Sequence, residues 1–285
     1  MSATPISRSI ANPTDRTILV VTIFLIFAAG LWNVFLSSYI EFGPRGWLTD
    51  NFGLNVGEIL AFAALLKVIA GIGKKSILRR SDLITLVVLL IGTATPYRSI
   101  AWISATAIGL FFVLRRHDDK ALSSIGQILI ACAIHELWGP KIFLAIAPFI
   151  VNLETAVAAK LLITFSSGYS TQFNLITAQD GHTIEIGAGC SAFRNLSLGA
   201  LIWISIIKLH RTYFTRLDYV ALAGTFFAII LINEIRIMLM ARSYAYFAFW
   251  HDGPGVTIVS AAMLVSVGTL VLMTTRLAPL SSRRG

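Results

Sequence analysis

Residues 187 to 208 read Gly187-Ala188-Gly189-Cys190-Ser191-Ala192-Phe193-Arg194-Asn195-Leu196, followed by an uncharged, largely apolar run to Ile207 and Lys208. A stretch of roughly 20 apolar residues is what a bilayer's hydrocarbon core requires of a helix. The stretch is therefore read as a loop turning into a membrane-spanning helix, with a cysteine at the turn. Similar runs recur from residue 17 to residue 275. The chain is 56% hydrophobic and 13% charged, with a mean hydropathy of +0.78; soluble domains carry about 25% charged residues. These features predict an all-α, polytopic integral membrane bundle forming a single domain over residues 1–285.

Eight spans are expected, at about 17–39, 55–73, 82–95, 97–114, 121–138, 190–208, 217–241 and 255–275, with a tight Thr95-Pro96-Tyr97 turn between the third and fourth. The apolar stretch after Arg16 is longer than a signal-peptide core and lacks a clear cleavage site, so it is taken as the first span. With the N-terminus in the cytoplasm, 16 of the 23 basic residues fall on the cytoplasmic side. They are Arg8, Arg16, Lys67, Lys74, Lys75, Arg79, Arg80, Arg115, Arg116, Lys120, Lys208, Arg211, Arg216, Arg276, Arg283 and Arg284. This asymmetry follows the positive-inside rule and makes residues 1–16 and 276–285 cytoplasmic tails, mobile at 1–15 and 279–285. The net charge of +9 is thereby explained by topology, and nucleic acid is not an expected partner.

Residues 140–165 carry Pro148, Asn152, Glu154 and Lys160. Their two neighbours must both face outward for the later basic loops to stay inside, so interfacial or re-entrant helices are expected; the alternative, a true crossing, would invert every later loop and put the basic ones outside. Residues 173–186 read as a β-hairpin, with Phe173, Leu175 and Thr177 alternating, a two-residue Asp180-Gly181 turn, and Ile184 and Ile186 alternating back. Residues 140–189 then form an extracytoplasmic segment delivering the chain to Cys190.

On this topology Cys190 opens the sixth span, Arg236 lies in the outer third of the seventh, and His251 precedes the eighth. Three residues far apart in sequence are thus expected at one membrane depth. A thiol is a nucleophile as thiolate, which a helix N-terminus and a nearby cation favour. A charge inside a span is costly and marks a functional candidate; Arg236 can donate to a thiolate or an oxyanion. His251 exchanges protons near neutral pH. Taken singly, each has a plainer role: packing for Cys190, pairing with Glu234 or snorkelling for Arg236, a polar tip for His251.

In Gly189-Cys190-Ser191-Ala192-Phe193-Arg194, in Asn233-Glu234-Ile235-Arg236-Ile237, and in His251 ahead of Gly255, the sequence resembles the exosortase/archaeosortase family of membrane cysteine transpeptidases. The motif resemblance covers about residues 185–260. It implies a catalytic triad of Cys190, Arg236 and His251 and no cofactor. The implied partners are secreted proteins bearing a C-terminal sorting tail, made of a short motif, a transmembrane helix and a basic cluster. The implied place is a bacterial inner membrane with the site facing the periplasm. Ala192 stands where that family often has glycine.

Arg194, four residues beyond Cys190, is a rival cation on the same helical face. Ser191 is expected to cap the helix, and Asn233 to orient Arg236 or touch substrate. His135-Glu136 is read as interface polarity, with no HExxH motif to suggest a metal; His117, His182 and His210 are assigned no chemistry. Cys132, within an apolar run, is a small core residue. The competing class is a non-enzymatic transporter or assembly factor for envelope components, with Arg236 as a counter-ion and Cys190 as packing. A transporter would place its polar groups near the midplane, whereas these gather at one surface.

Overall fold

In lipid the backbone can satisfy its polar groups only internally, and helices dominate accordingly. The computed structural model describes residues 13–49, 54–72, 78–93, 97–165 and 168–281. In chain order the helices are α1 (Pro13–Thr49), α2 (Val56–Ala70), α3 (Arg80–Thr93), α4 (Arg98–Arg115), α5 (Lys120–Ala133), α6 (Gly139–Phe165), α7 (Phe193–His210), α8 (Arg216–Met240), α9 (Tyr244–Phe247) and α10 (Gly255–Ser281). Strands β1 (Ser170–Gln172), β2 (Leu175–Thr177) and β3 (Thr183–Glu185) lie between α6 and α7. A π-helical turn, Ile134–Trp138, joins α5 to α6. α1 is broken at Gly43, whose φ of 67° is left-handed, just before Pro44. Arg8, Lys74, Lys75, Arg283 and Arg284, and Thr95-Pro96 of the expected turn, lie outside the described residues, as do most of the expected mobile tails.

Six helical stretches among the described residues are long and apolar enough to cross a membrane: Asp15–Trp32, Arg98–Arg115, Lys120–Phe165, Ala188–His210, Arg216–Met240 and Gly255–Arg276. α2 and α3, with 15 and 14 residues, reach only about 22 and 21 Å at 1.5 Å per residue. Many large apolar side chains face outward, among them Phe24, Val87, Phe149 and Phe227.

The chain divides into two compact units where the sequence suggests one domain: residues up to Ala133 with Ile204–Tyr213, and Ile134–Trp203 with Phe214 onward. In the first unit α4 and α5 meet through small residues. A Cβ on Gly126 would lie 2.6 Å from the Gly109 carbonyl oxygen, and one on Gly109 would lie 2.8 Å from that of Gly126. Such glycines let two backbones approach closely. Trp102, fully buried, fills the space left by Gly30 and meets Phe27 edge-on at 5.8 Å.

Polar contacts of this unit gather helix ends together. Arg16 donates to the Ile72 carbonyl, the Leu78 amide donates to Asp15, and Arg116 pairs with the buried Asp82. Lys67 donates to the Leu209 carbonyl, and Lys208 to that of Thr212 at 2.9 Å. Cations on the last carbonyls of a helix suit its dipole.

In the second unit α8 packs along α10. The wholly buried Asp218 closes a capping box with Thr215 and accepts from Thr274 at 3.5 Å. Trp203 of α7 donates to the Asp218 carbonyl at 2.8 Å. α6 is one continuous helix despite Pro148. Its Phe143 stacks on Phe193 at 4.9 Å, while Glu154 accepts from the Ala192 amide at 2.9 Å. Phe143 and Glu154 are about 16 Å apart along the α6 axis, yet they meet adjacent residues of the chain. α6 therefore starts beside the first turn of α7, where Gly139 lies against Ser197, and runs on past the start of that helix.

Gly126→Ala is expected to destabilise the protein by about 1–3 kcal/mol through overpacking, read as a lower midpoint of thermal unfolding in detergent. Gly268→Ala, in a position with nothing within 4 Å of the added carbon, should leave the midpoint unchanged or slightly raised.

Candidate active site

Gly187 starts a 3-10 turn, Ala188–Cys190, closed by the Cys190 amide on the Gly187 carbonyl at 2.9 Å. Ser191 is then extended (φ −71°, ψ 144°), and α7 begins only at Phe193. Cys190 thus precedes the helix instead of opening it. The i, i+4 relation expected between Cys190 and Arg194 does not arise: Arg194 is exposed on α7, and its side chain has no hydrogen bond or ion pair among the described residues. The amides at the helix start are already engaged, Ala192 by Glu154 and Phe193 by the Ser191 hydroxyl at 3.2 Å. Cys190 itself is 6% exposed. It sits in an apolar cluster with Val151, Ile184, Ile186, Ile237 and Met240, and Trp250 packs against that cluster.

Two bonds from α8 organise the surroundings. Asn233 is fully buried, and its side-chain amide donates to the Cys190 carbonyl at 2.9 Å. One helical turn on, Arg236 donates through Nε to the Trp250 carbonyl at 3.0 Å. The two terminal guanidinium nitrogens have no other partner among the described residues. Arg236 makes no ion pair with Glu234 either; Glu234 is buried, and its Oε2 lacks a hydrogen-bond partner. Glu154 Oε2 and Asn233 Oδ1 are buried and unpartnered as well, and the Glu154 and Glu234 carboxyl groups are close enough to interact electrostatically.

His251 lies in a π-helical turn, Ala248–Asp252. Its Nδ1 bonds the Asp252 carboxylate at 2.8 Å, and its ring stacks on Phe247 at 4.7 Å. A carboxylate on Nδ1 fixes the tautomer and leaves Nε2 for proton transfer. The turn folds tightly because Gly255 has no side chain: a Cβ there would lie 2.6 Å from the Trp250 ring. His182, at the sheet's tip, bonds the Met240 carbonyl at 3.1 Å through Nε2 and meets Phe247 edge-on.

The sheet has three antiparallel strands in the order β1-β2-β3. Ile176 and Ile184 pair and are buried with Ile186, so Leu175 and Thr177 take the opposite face. Phe173 belongs to the β1–β2 turn, exposed and at φ 54°, a strained conformation for a bulky residue. The β2–β3 loop is closed by the Ala178 amide on the His182 carbonyl, with Gly181 at φ 85°. It therefore has three residues where a two-residue turn is expected, the form with a left-handed Gly after a type I turn. A cavity of 450 Å³ lies between α6 and the sheet, lined by Pro148, Asn152, Phe173, Asn174, Glu185 and Ala188 among others. It ends two residues from Cys190.

The structure brings the segments of Cys190, Asn233, Arg236 and His251 to the same end of α8, and it gives Ser191 a capping bond. No hydrogen bond joins the Cys190 sulfur to Arg236 or His251. Sequence reasoning missed Asp252, and named Glu234 only as a partner for Arg236. Asp252 was legible as the neighbour of His251; Glu154 was noted only as polarity within 140–165. His135 and Glu136 are buried, with His135 on the Ser197 hydroxyl at 2.9 Å, a core pair instead of interface polarity. Among the described residues no three His, Cys, Asp or Glu side chains group as a metal site. The fold is that of a helical bundle with helices suited to a membrane. No family model, curated protein or solved structure matches the chain.

Asn233→Leu keeps the side chain's bulk but leaves the Cys190 carbonyl unpaired. Thermal unfolding should show a loss of about 1–3 kcal/mol, the cost of a buried polar group without its partner.

Proposed function

We propose that the chain is a membrane-embedded cysteine protease or transpeptidase of exosortase type, acting on the C-terminal sorting tails of secreted envelope proteins at the periplasmic face of a bacterial inner membrane. The observation that carries this reading is the pair of bonds from α8, Asn233 to the Cys190 carbonyl and Arg236 to the Trp250 carbonyl. Together they draw the nucleophile turn and the histidine turn to one end of one helix. In this reading α2 and α3 also cross the membrane, giving eight spans, and α6 and the sheet lie at the outer surface over the start of α7. The gathering of the Arg16, Lys67, Arg116 and Lys208 ends in the first unit supports a common cytoplasmic side.

The Cys190 thiol gives its proton to His251 Nε2, and the resulting thiolate attacks the scissile carbonyl to form a thioester as the C–N bond breaks. The free terminal nitrogens of Arg236 stabilise the developing oxyanion, and His251 Nε2, with Nδ1 held by Asp252, protonates the leaving amine. Water or an acceptor amine then releases the product. A second reading, a non-enzymatic transporter or assembly factor, draws on the burial of Cys190 in an apolar cluster.

Cells carrying Cys190→Ala or Cys190→Ser should retain the sorting tail on the substrate, as judged by its mass on immunoblots; normal processing in either would favour the second reading. Arg236→Lys should slow processing by about 10–100-fold, because one ammonium cannot hold the Trp250 carbonyl and present a planar fork together. In a chain lacking Cys132 and Cys190, a cysteine at Thr171 should react with an impermeant maleimide from the periplasmic side, and one at Tyr213 only after the membrane is opened. The reverse pattern would overturn the orientation.

A further inference from the structure

We propose that Glu154 is a positioning residue for Cys190, holding from α6 the backbone that aims the thiol; this rests on the cysteine-enzyme reading of the site. The Cys190 side chain has no hydrogen bond among the described residues, so backbone and packing alone set its direction. That backbone is gripped from two helices. Asn233 of α8 donates to the Cys190 carbonyl at 2.9 Å. Glu154 of α6 accepts from the Ala192 amide at 2.9 Å. The grips fall on either side of Ser191, the extended residue between the 3-10 turn and α7, whose own amide only closes that turn on the Ala188 carbonyl at 3.3 Å.

A carboxylate on a helix-start amide is a strong, charge-assisted contact, and it is made at a cost. Glu154 is 9% exposed and Glu234 4%, and each leaves Oε2 buried without a partner. Burial of a carboxyl group among apolar side chains is unfavourable unless its bonds offset it. Leucine or methionine at 154 would pack in the same place more cheaply, but would leave the Ala192 amide free to turn away. Among the described residues, residue 154 is the one position of α6 bonded to the backbone just after Cys190.

The test uses the purified full chain with Cys132→Ser, in detergent, and reads the rate at which iodoacetamide alkylates Cys190, alongside tail processing in cells. Glu154→Gln keeps an acceptor for the Ala192 amide and should stay within about 3-fold of the parent in both rates. Glu154→Leu, folded by its unfolding midpoint, should alter the alkylation rate and lower processing by about 100-fold, the scale of a misplacement near 1 Å. Glu154→Asp, which withdraws the oxygen by one methylene, should fall between them, and decides the matter where Glu154→Leu does not fold. Alkylation at the parent rate in folded Glu154→Leu or Glu154→Asp would overturn the proposal. So would a Glu154→Gln chain as impaired as Glu154→Leu. Failure of the enzyme reading is separate: normal processing in Cys190→Ala, whatever the alkylation rates.

Discussion

The spacing of Asn233 and Arg236 on α8 is the constraint on which the site depends. Residues three apart share a helical face, so one face of one helix reaches both the Cys190 carbonyl and the Trp250 carbonyl. Neither target lies in a long helix. The cysteine stands in a 3-10 turn and the tryptophan in a π-helical turn, and irregular backbone at membrane depth is tolerated where protein satisfies its polar groups. Both α8 bonds end on backbone carbonyls, so α8 fixes the course of these turns as well as their side chains.

The other contacts extend that logic. Gly255 lets Trp250 fold back closely enough for Arg236 to reach it, and Asp252 turns His251 so that Nε2 faces away from its own partner. α6 covers the start of α7 and supplies Glu154 to the amide that α8 does not serve. The buried oxygens left over on Glu154, Asn233 and Glu234 are the cost of holding polar side chains in an apolar interior.

The helical class was legible because long apolar runs admit little else. Cys190, Arg236 and His251 were readable as types that sit badly in an apolar chain. The start of α7 at Phe193 was not, because the apolar pattern runs unbroken through Cys190 and only the extended Ser191 separates turn from helix. β1 was missed because Ser170–Gln172 is short, polar and exposed. Ile184 and Ile186, alternating along the expected return strand, are buried, whereas Phe173, apolar and exposed, sits in a turn outside the alternation. Glu154 depends on α6 running past the start of α7, a tertiary relation that no local pattern encodes. Residues 139–165 formed one helix because the ring of Pro148 costs a helix one amide bond, which 27 largely apolar residues outweigh.

The central claim is that the thiol of Cys190 and the ring of His251 occupy one site at the end of α8. Its most direct test is intramolecular cross-linking of Cys190 to a cysteine replacing His251, with Cys132→Ser, by a short bifunctional thiol reagent on the folded chain. A cross-linked monomer, found by mass spectrometry of the joined peptides, is the result expected. Single labelling of both cysteines by a monofunctional reagent, with no cross-link between them, would contradict the account.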